Sequence, residues 1–432
     1  MKRRAYLSAA LAMGLAGCTE TGALERTDDD PPASDDRPTR DDERATDEGS
    51  GDDPDEGDET DPDESPNPSA SLEVLDDFED LSLWTTLEGT LSADTDRYAS
   101  GTQSARLEAT VADSSVVIAR EFDAPRDFST AVPGLALQSG RMVSPTIQLF
   151  DDAGDRIDYR RAVKGGLPTM RFNFGVSNVV GSPDLSAITH LRIVAWAGEH
   201  TRRFWCDELH LTPRPERGKV MIQFDDGYET DYTEAFPILE RYGYPAVTFV
   251  NPGRVGASSV GGRPVLDLAQ IEELADAGWT ISSHTENHPA LSELDAAEQE
   301  AEIRDAKEWL VDHGFEDGAQ YFAYPFGEYD ATTIELVEKY HALGFAGGPP
   351  AQGYAVNPQL CSRIGDPDFE RAREAFDWAA SMNGISSVFY HALDDEDDLA
   401  DFESTIEYLH ELESAGDVDV ILPRDVEETY SV

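Results

Sequence analysis

The chain has 432 residues, 39% hydrophobic and 28% charged, with 33 Lys+Arg against 88 Asp+Glu for a formal charge of −55. That length suits about two or three domains with ordinary cores, and the shortage of cations excludes strong nucleic-acid binding, which needs basic patches against phosphate. Three cysteines, Cys18, Cys206 and Cys361, are too few for a disulfide framework, and Cys206 and Cys361 read as free thiols.

Residues 1–18 open on Lys2, Arg3 and Arg4, continue through a short apolar run and end in Leu15-Ala16-Gly17-Cys18. This is the layout of an export signal, with an apolar run short of the ~20 residues a membrane span needs. Leu-Ala-Gly-Cys resembles a lipoprotein box that would lipidate Cys18, and Arg3-Arg4 resembles a twin-arginine signal. The expected location is the extracellular face of the membrane, held by lipid; an uncleaved N-terminal anchor is the alternative. Because one lipid chain binds only reversibly, a second lipid group is expected. Residues 19–71 are Asp, Glu, Thr, Pro and Gly with almost no large apolar residue. Such a segment buries too little surface to order itself and reads as a disordered acidic linker.

The acidity is not confined to that linker. Residues 1–18 carry three cations and residues 19–68 hold 21 acids against four arginines, so residues 69–432 keep −41 of the −55. A folded part this acidic resembles haloarchaeal proteins and predicts loss of structure at low salt through charge self-repulsion.

Residues 72–214 show short β-type runs at 115–120, 146–150, 170–174, 191–195 and 203–211, separated by turn signals such as Lys164-Gly165-Gly166. This spacing predicts a β-sandwich. Asp76-Asp77-Phe78-Glu79 at the start and Trp205-Cys206-Asp207 near the end look like the jelly-roll modules appended to carbohydrate-active enzymes. That resemblance implies glycan binding and a structural calcium, with Asp77, Glu79 and Asp207 as candidate ligands. Trp84, Trp196 and Trp205 are either a sugar-stacking platform or core. The strand pattern points to core for Trp196 and Trp205 and leaves Trp84 open.

In residues 216–432, apolar runs alternate with helical patterns. Strands are predicted at 219–224, 245–250, 279–283, 321–324, 342–346, 360–364, 387–391 and 418–422, and helices at 267–277, 294–313, 330–340, 368–382 and 399–414. This alternation predicts a parallel α/β barrel or a doubly wound sheet, with ligands at the carboxyl ends of strands. The unusual residue groups fall at those ends: Asp225-Asp226 after the first strand, His284-Thr285-Glu286-Asn287-His288-Pro289 after the third, Pro325-Phe326-Gly327 after the fourth, and His391 after the seventh. Each has a bland reading alone, as an acidic turn, an ordinary turn or a core histidine. The histidine pair is the most telling, since two imidazoles a few residues apart can grip one cation.

In this order the groups resemble the NodB-type polysaccharide deacetylases, carbohydrate esterase family 4. The family shows Thr-Phe-Asp-Asp-Gly, His-Ser/Thr-x-x-His-Pro, Arg-x-Pro-aromatic-Gly and Leu-x-His on a deformed (β/α)7 barrel. Here the sequence reads Gln223-Phe224-Asp225-Asp226-Gly227, His284 to Pro289, Ala323-Tyr324-Pro325-Phe326-Gly327 and Phe389-Tyr390-His391. The resemblance implies a metal-dependent hydrolase acting on an acetylated polysaccharide. Asp226, His284 and His288 would hold a divalent ion, commonly zinc. Asp225 would be the general base, the Phe326 N–H an oxyanion donor, and His391 the general acid.

Two departures stand out. Ala323 replaces the arginine that pairs with the catalytic aspartate in the family. Arg363, at the end of another strand, is the candidate substitute. Asp377-Trp378 has the order of a further family motif but sits in a helical pattern that suits packing. The expected reaction is removal of N-acetyl groups from a cell-surface or extracellular glycan. The competing readings are an O-acetyl esterase and a non-catalytic glycan-binding lipoprotein; a two-His-one-carboxylate iron oxygenase fits the ligand order poorly.

Overall fold

A computed structural model describes residues 72–198 and 200–432, so the export signal, Cys18 and the acidic linker lie outside the described residues. Among the described residues no helix is long and apolar enough to cross a membrane.

Twelve strands build the first part: β1 Glu73–Asp76, β2 Thr85–Glu88, β3 Thr90–Asp94, β4 Ser104–Ala109, β5 Ser115–Arg126, β6 Ala131–Ser139, β7 Thr146–Phe150, β8 Arg156–Arg160, β9 Met170–Phe172, β10 Gly175–Val180, β11 Ile188–Trp196 and β12 Arg202–Pro213. They pair antiparallel in two sheets, one ordered β3-β4-β12-β6-β9 with β1 also on β12, the other β10-β8-β7-β11-β5-β2. Alternation explains the pairing of faces. In β11, Ile188, Leu191, Ile193 and Ala195 are buried while Trp196 is 72% exposed. Trp196 is therefore outside the core, contrary to the strand-pattern reading. Trp84 is the buried one, stacked on Phe78 at 5.2 Å with its Nε1–H on Asp76. Trp205 is half-buried, with Arg97 over its ring at 4.5 Å.

Eight parallel strands follow: β13 Gly218–Asp225, β14 Val247–Val250, β15 Thr280–Ser283, β16 Tyr321–Ala323, β17 Leu343–Gly347, β18 Cys361–Gly365, β19 Ile385–Tyr390 and β20 Val418–Val420. β13 pairs with both β14 and β19, which closes a seven-stranded barrel, and β20 adds outside on β13. Every residue of β13 is buried, as a parallel strand covered on both faces requires. The ring is thin where β15 meets β16 through the single pair Ser283↔Phe322.

The helices are α1 Phe236–Glu240, α2 Leu268–Asp276, α3 Ala296–Asp312, α4 Ala331–Tyr340, α5 Phe369–Met382, α6 Glu396–Ala415 and α7 Pro423–Thr429. The acid-rich composition is used at their starts. Asp267, Asp295, Asp330, Asp368 and Asp395 each accept a first-turn backbone N–H, which satisfies orphan donors and favours the helix dipole. α1 and α7 lie outside the sequence-predicted helices, being too short to show a period. Asp377 and Trp378 sit within α5, where Asp377 accepts the Tyr408 hydroxyl and Trp378 packs against the sandwich-side core. Cys206 and Cys361 are free and buried.

Candidate active site

Three barrel strands deliver the central groups. β13 ends on Asp225, and Asp226 turns away at φ 73, where the following Gly227 also takes a positive φ of 60. β15 leads into His284, and left-handed backbone at Thr285 (φ 67) and His288 (φ 62) folds the segment back so that both imidazoles face the same place. Non-glycine residues in this region are strained and persist where the surroundings hold them; here the Thr285 hydroxyl accepts the His288 N–H at 2.9 Å.

Asp226, His284 and His288 each offer a ligand atom, all within 4.8 Å of one another. Around one ion with bonds of about 2.0–2.2 Å, such atoms lie roughly 3–4 Å apart, so the three can close on a divalent metal. His284 Nδ1–H donates to the Ala323 carbonyl at 2.8 Å, which leaves Nε2 for a metal. Burial pushes the pKa of both imidazoles down, His288 to about 3 with the neighbouring His284 adding to the effect, so both present lone pairs. His288 Nε2 lies 3.1 Å from Asp226 Oδ1, and Arg254 approaches the same oxygen at 3.2 Å.

Asp225, 2% exposed, lies beside this group, its Oδ2 3.7 Å from His284 Nε2. Arg363 of β18 grips it with two N–H···O bonds of 2.7 Å each, and Gln223 accepts from the same guanidinium at 3.2 Å. The guanidinium stacks on Phe389 at 3.9 Å. Burial alone would raise the Asp225 pKa, but the charge and hydrogen bonds of Arg363 outweigh it and hold the carboxyl at about 2. His391 follows β19, and its Nδ1 meets Asp366 Oδ2 at 2.7 Å while its backbone N–H donates to the other oxygen at 3.0 Å. Burial opposes its charge, but the bond to Asp366 and the charge of Asp225 lift its pKa to about 9. Phe326 has φ 57, is 63% exposed and sets its ring edge-on to His288 at 4.5 Å, which brings the Pro325-Phe326-Gly327 turn to the metal group.

Asp366, Arg254 and Gln223 were not singled out from the sequence. Asp366 had a usable signal, since it follows β18 at the same rim as the other groups. Arg254 had none. Asp231, fully buried below the carboxylate pair, accepts the Thr248 hydroxyl at 2.8 Å, and burial pushes its pKa well up.

The candidate calcium ligands of the sandwich are engaged by backbone donors. Among the described residues, Asp226, His284 and His288 are the only three such groups close enough to share an ion. Asp77, Glu79 and Asp207 form no second cluster. Glu79 instead accepts the Thr102 N–H at 2.6 Å and the Gln103 N–H at 3.1 Å. Asp207 accepts those of Ala99 at 2.7 Å, Ser100 at 3.1 Å and Glu208 at 2.8 Å. Asp77 accepts the Glu79 N–H. Backbone donors have claimed these oxygens.

Residues 212–344 match the family model described as polysaccharide deacetylase. YxkH of Bacillus subtilis, provisionally named a polysaccharide deacetylase, is 36% identical over 126 residues, covering 29% of this chain and 43% of its own. A poly-β-1,6-N-acetyl-D-glucosamine N-deacetylase of Staphylococcus epidermidis is 27% identical over 179 residues, 38% of this chain and 60% of its own. The chain thus spans about half the length of these relatives. The solved Streptococcus pyogenes deacetylase PplD in complex with acetate shares 29% identity over 33% of this chain and 62% of its own, at a TM-score of 0.31.

Proposed function

We propose that this chain, which contains a polysaccharide deacetylase domain of carbohydrate esterase family 4, is a metal-dependent hydrolase that removes N-acetyl groups from a cell-surface or extracellular polysaccharide. The observation that carries the reading is the division of labour at one barrel rim: Asp226, His284 and His288 converge, while Asp225 stands beside them, 3.7 Å from His284 Nε2, and is held ionised by Arg363.

A divalent metal, zinc in this reading, would be held by Asp226, His284 and His288 and would supply Lewis-acid polarisation of the acetyl carbonyl and acidification of water. Asp225 takes the proton of the attacking water. Its bidentate arginine fixes which way the carboxylate faces and keeps it unprotonated at any working pH. The Phe326 N–H donates to the oxyanion as the carbonyl becomes tetrahedral. His391, oriented by Asp366 and protonated below about 9, gives its proton to the departing nitrogen. Acetate and a free amine leave. The arginine beside Asp225 supports an enzyme over a glycan-binding relic, because it supplies the cation that Ala323 cannot.

Lipid attachment at Cys18 after twin-arginine export would hold the enzyme on the outer membrane face, where such glycans lie; mass spectrometry of the mature N-terminus for a diacylglyceryl cysteine checks this. The −41 carried by residues 69–432 supports a halophilic habit, and folding retained at millimolar salt would contradict it.

The deciding experiment is acetate release from a panel of N- and O-acetylated oligosaccharides in molar salt, wild type beside Asp225→Asn, with metal content measured on both. Metal bound and acetate freed from N-acetyl sugars supports the proposal. Release from O-acetyl sugars only would move it to an esterase. Neither metal nor acetate would sink it.

A further inference from the structure

The turn that carries Phe326 is held from the other part of the molecule. The described residues from 72 on pack as one unit, and two cations just after β8 of the sandwich, Arg161 and Lys164, reach the barrel. Arg161 is 1% exposed, bonds the Ser362 hydroxyl and donates to the Leu360 carbonyl at 3.3 Å. The fit is close, since a Cβ added at Gly348 would lie 2.7 Å from the Arg161 guanidinium. Lys164 sends its Nζ to the Gly327 carbonyl at 2.8 Å and to Glu328 Oε2 at 2.7 Å, over the Tyr329 ring at 4.4 Å. Each cation therefore grips the neighbour of an active-site residue. Ser362 precedes Arg363, and Gly327 follows Phe326.

The Phe326 turn needs such support. Phe326 (φ 57) and Gly327 (φ 62) are both left-handed, a costly conformation for a phenylalanine. The turn's own bonds are local, Gly327 N–H to the Tyr324 carbonyl and Glu328 N–H to the Pro325 carbonyl, each 2.9 Å. Such bonds alone neither fix where the whole turn sits nor keep it from opening. A bond arriving from outside does both. Lys164 supplies one, charge-assisted, on the carbonyl of Gly327, the residue after Phe326.

We propose that Lys164 is a positioning residue for the deacetylation reaction: the sandwich, through this lysine, holds the turn so that the Phe326 N–H stays aimed at the developing oxyanion. The proposal rests on the deacetylase reading above. It gives the sandwich a part in catalysis separate from any contact it makes with glycan.

The test uses the full chain in high salt. Lys164→Met should lower kcat about ten- to hundred-fold with KM within about two-fold and metal content unchanged, because the lost aim is felt only in the transition state. Lys164→Arg, which can still donate to both oxygens, should recover most of that loss. Hydrogen exchange of the amides at 326–329 should speed at least about ten-fold in Lys164→Met and return toward wild type in Lys164→Arg. Asn173→Ala is the control for plain inter-domain adhesion. It removes the bonds to the Tyr354 carbonyl at 2.7 Å and the Val356 N–H at 2.9 Å, away from the turn, and should lower Tm without moving kcat. Wild-type kcat in Lys164→Met, or an equal kcat loss in Asn173→Ala, overturns the proposal. If the wild type frees no acetate from any glycan, the deacetylase reading has failed; unchanged exchange at 326–329 then overturns the Lys164 proposal independently.

Discussion

In the sandwich, Glu79 and Asp207 are wrapped in backbone N–H groups from the 99–103 turn and from Glu208. In the barrel, Asp226 and two neutral imidazoles point at a common space, with two charged neighbours, Arg254 and Asp225, at its edge. The residue types overlap and the chain is acidic throughout, so composition does not separate the two regions. What separates them is whether the ligand atoms have been consumed by the local backbone. An antiparallel sandwich with tight turns leaves N–H groups beside its carboxylates, and these bind them. A parallel barrel has its strand ends diverging into longer loops, where side chains from distant segments meet without satisfying one another. A site is recognised here by unspent ligands rather than by the number of acids nearby.

Breaking the barrel side gives the largest effects. Asp226→Ala or His284→Ala should bring metal content to background in elemental analysis and abolish acetate release, with the sandwich still folded. Asp225→Asn should keep the metal while lowering kcat by about 10²–10⁴, the range of a general base; a smaller loss would remove Asp225 from that role. Arg363→Ala should cost less in rate than Asp225→Asn, and its loss should diminish as pH rises. The carboxyl now at about 2 would lose the charge that opposes its burial, and its pKa would climb.

The pH profile sharpens the comparison further. His391 has its pKa raised to about 9, so it is charged and able to donate below that value and loses the proton as pH rises through it. Asp366→Asn removes the bonded carboxylate. The alkaline limb of kcat should then move from about 9 toward the ordinary histidine value of ~6.5, cutting the rate roughly ten-fold at pH 8 and little at pH 6. An unmoved limb would show that another group controls it. The smallest effect belongs to the sandwich. Asp207→Asn disturbs its three backbone acceptor bonds and should cost about 1–3 kcal/mol of stability in thermal unfolding while kcat stays put.

The legible parts of the molecule were those with short-range causes. The 219–224 run appears as β13 because it is apolar throughout, and the helices at 267–277 and 330–340 appear as α2 and α4 because an aspartate cap precedes each periodic stretch. In the sandwich, β1 to β4, β6, β8 and β10 escaped notice. Their burial alternates imperfectly: β2 and β3 show no buried residue at all, so no period marks them. Trp196 went wrong for a related reason. It ends a strand whose pattern places it on the outer face, and the large apolar side chain argued for the inner one.

The sequence by itself determined which residues stand at the barrel's strand ends and in what order, because each follows a local apolar run and needs no knowledge of the rest of the chain. Only the tertiary structure decided what those residues touch. Arg363 and Asp225 are 138 positions apart, His391 and Asp366 are 25 apart, and Lys164 lies 163 positions before the carbonyl it holds. Those contacts exist because a seven-stranded ring closes and a sandwich docks on it. Closure and docking are set by packing summed over whole elements, which no short stretch of sequence displays.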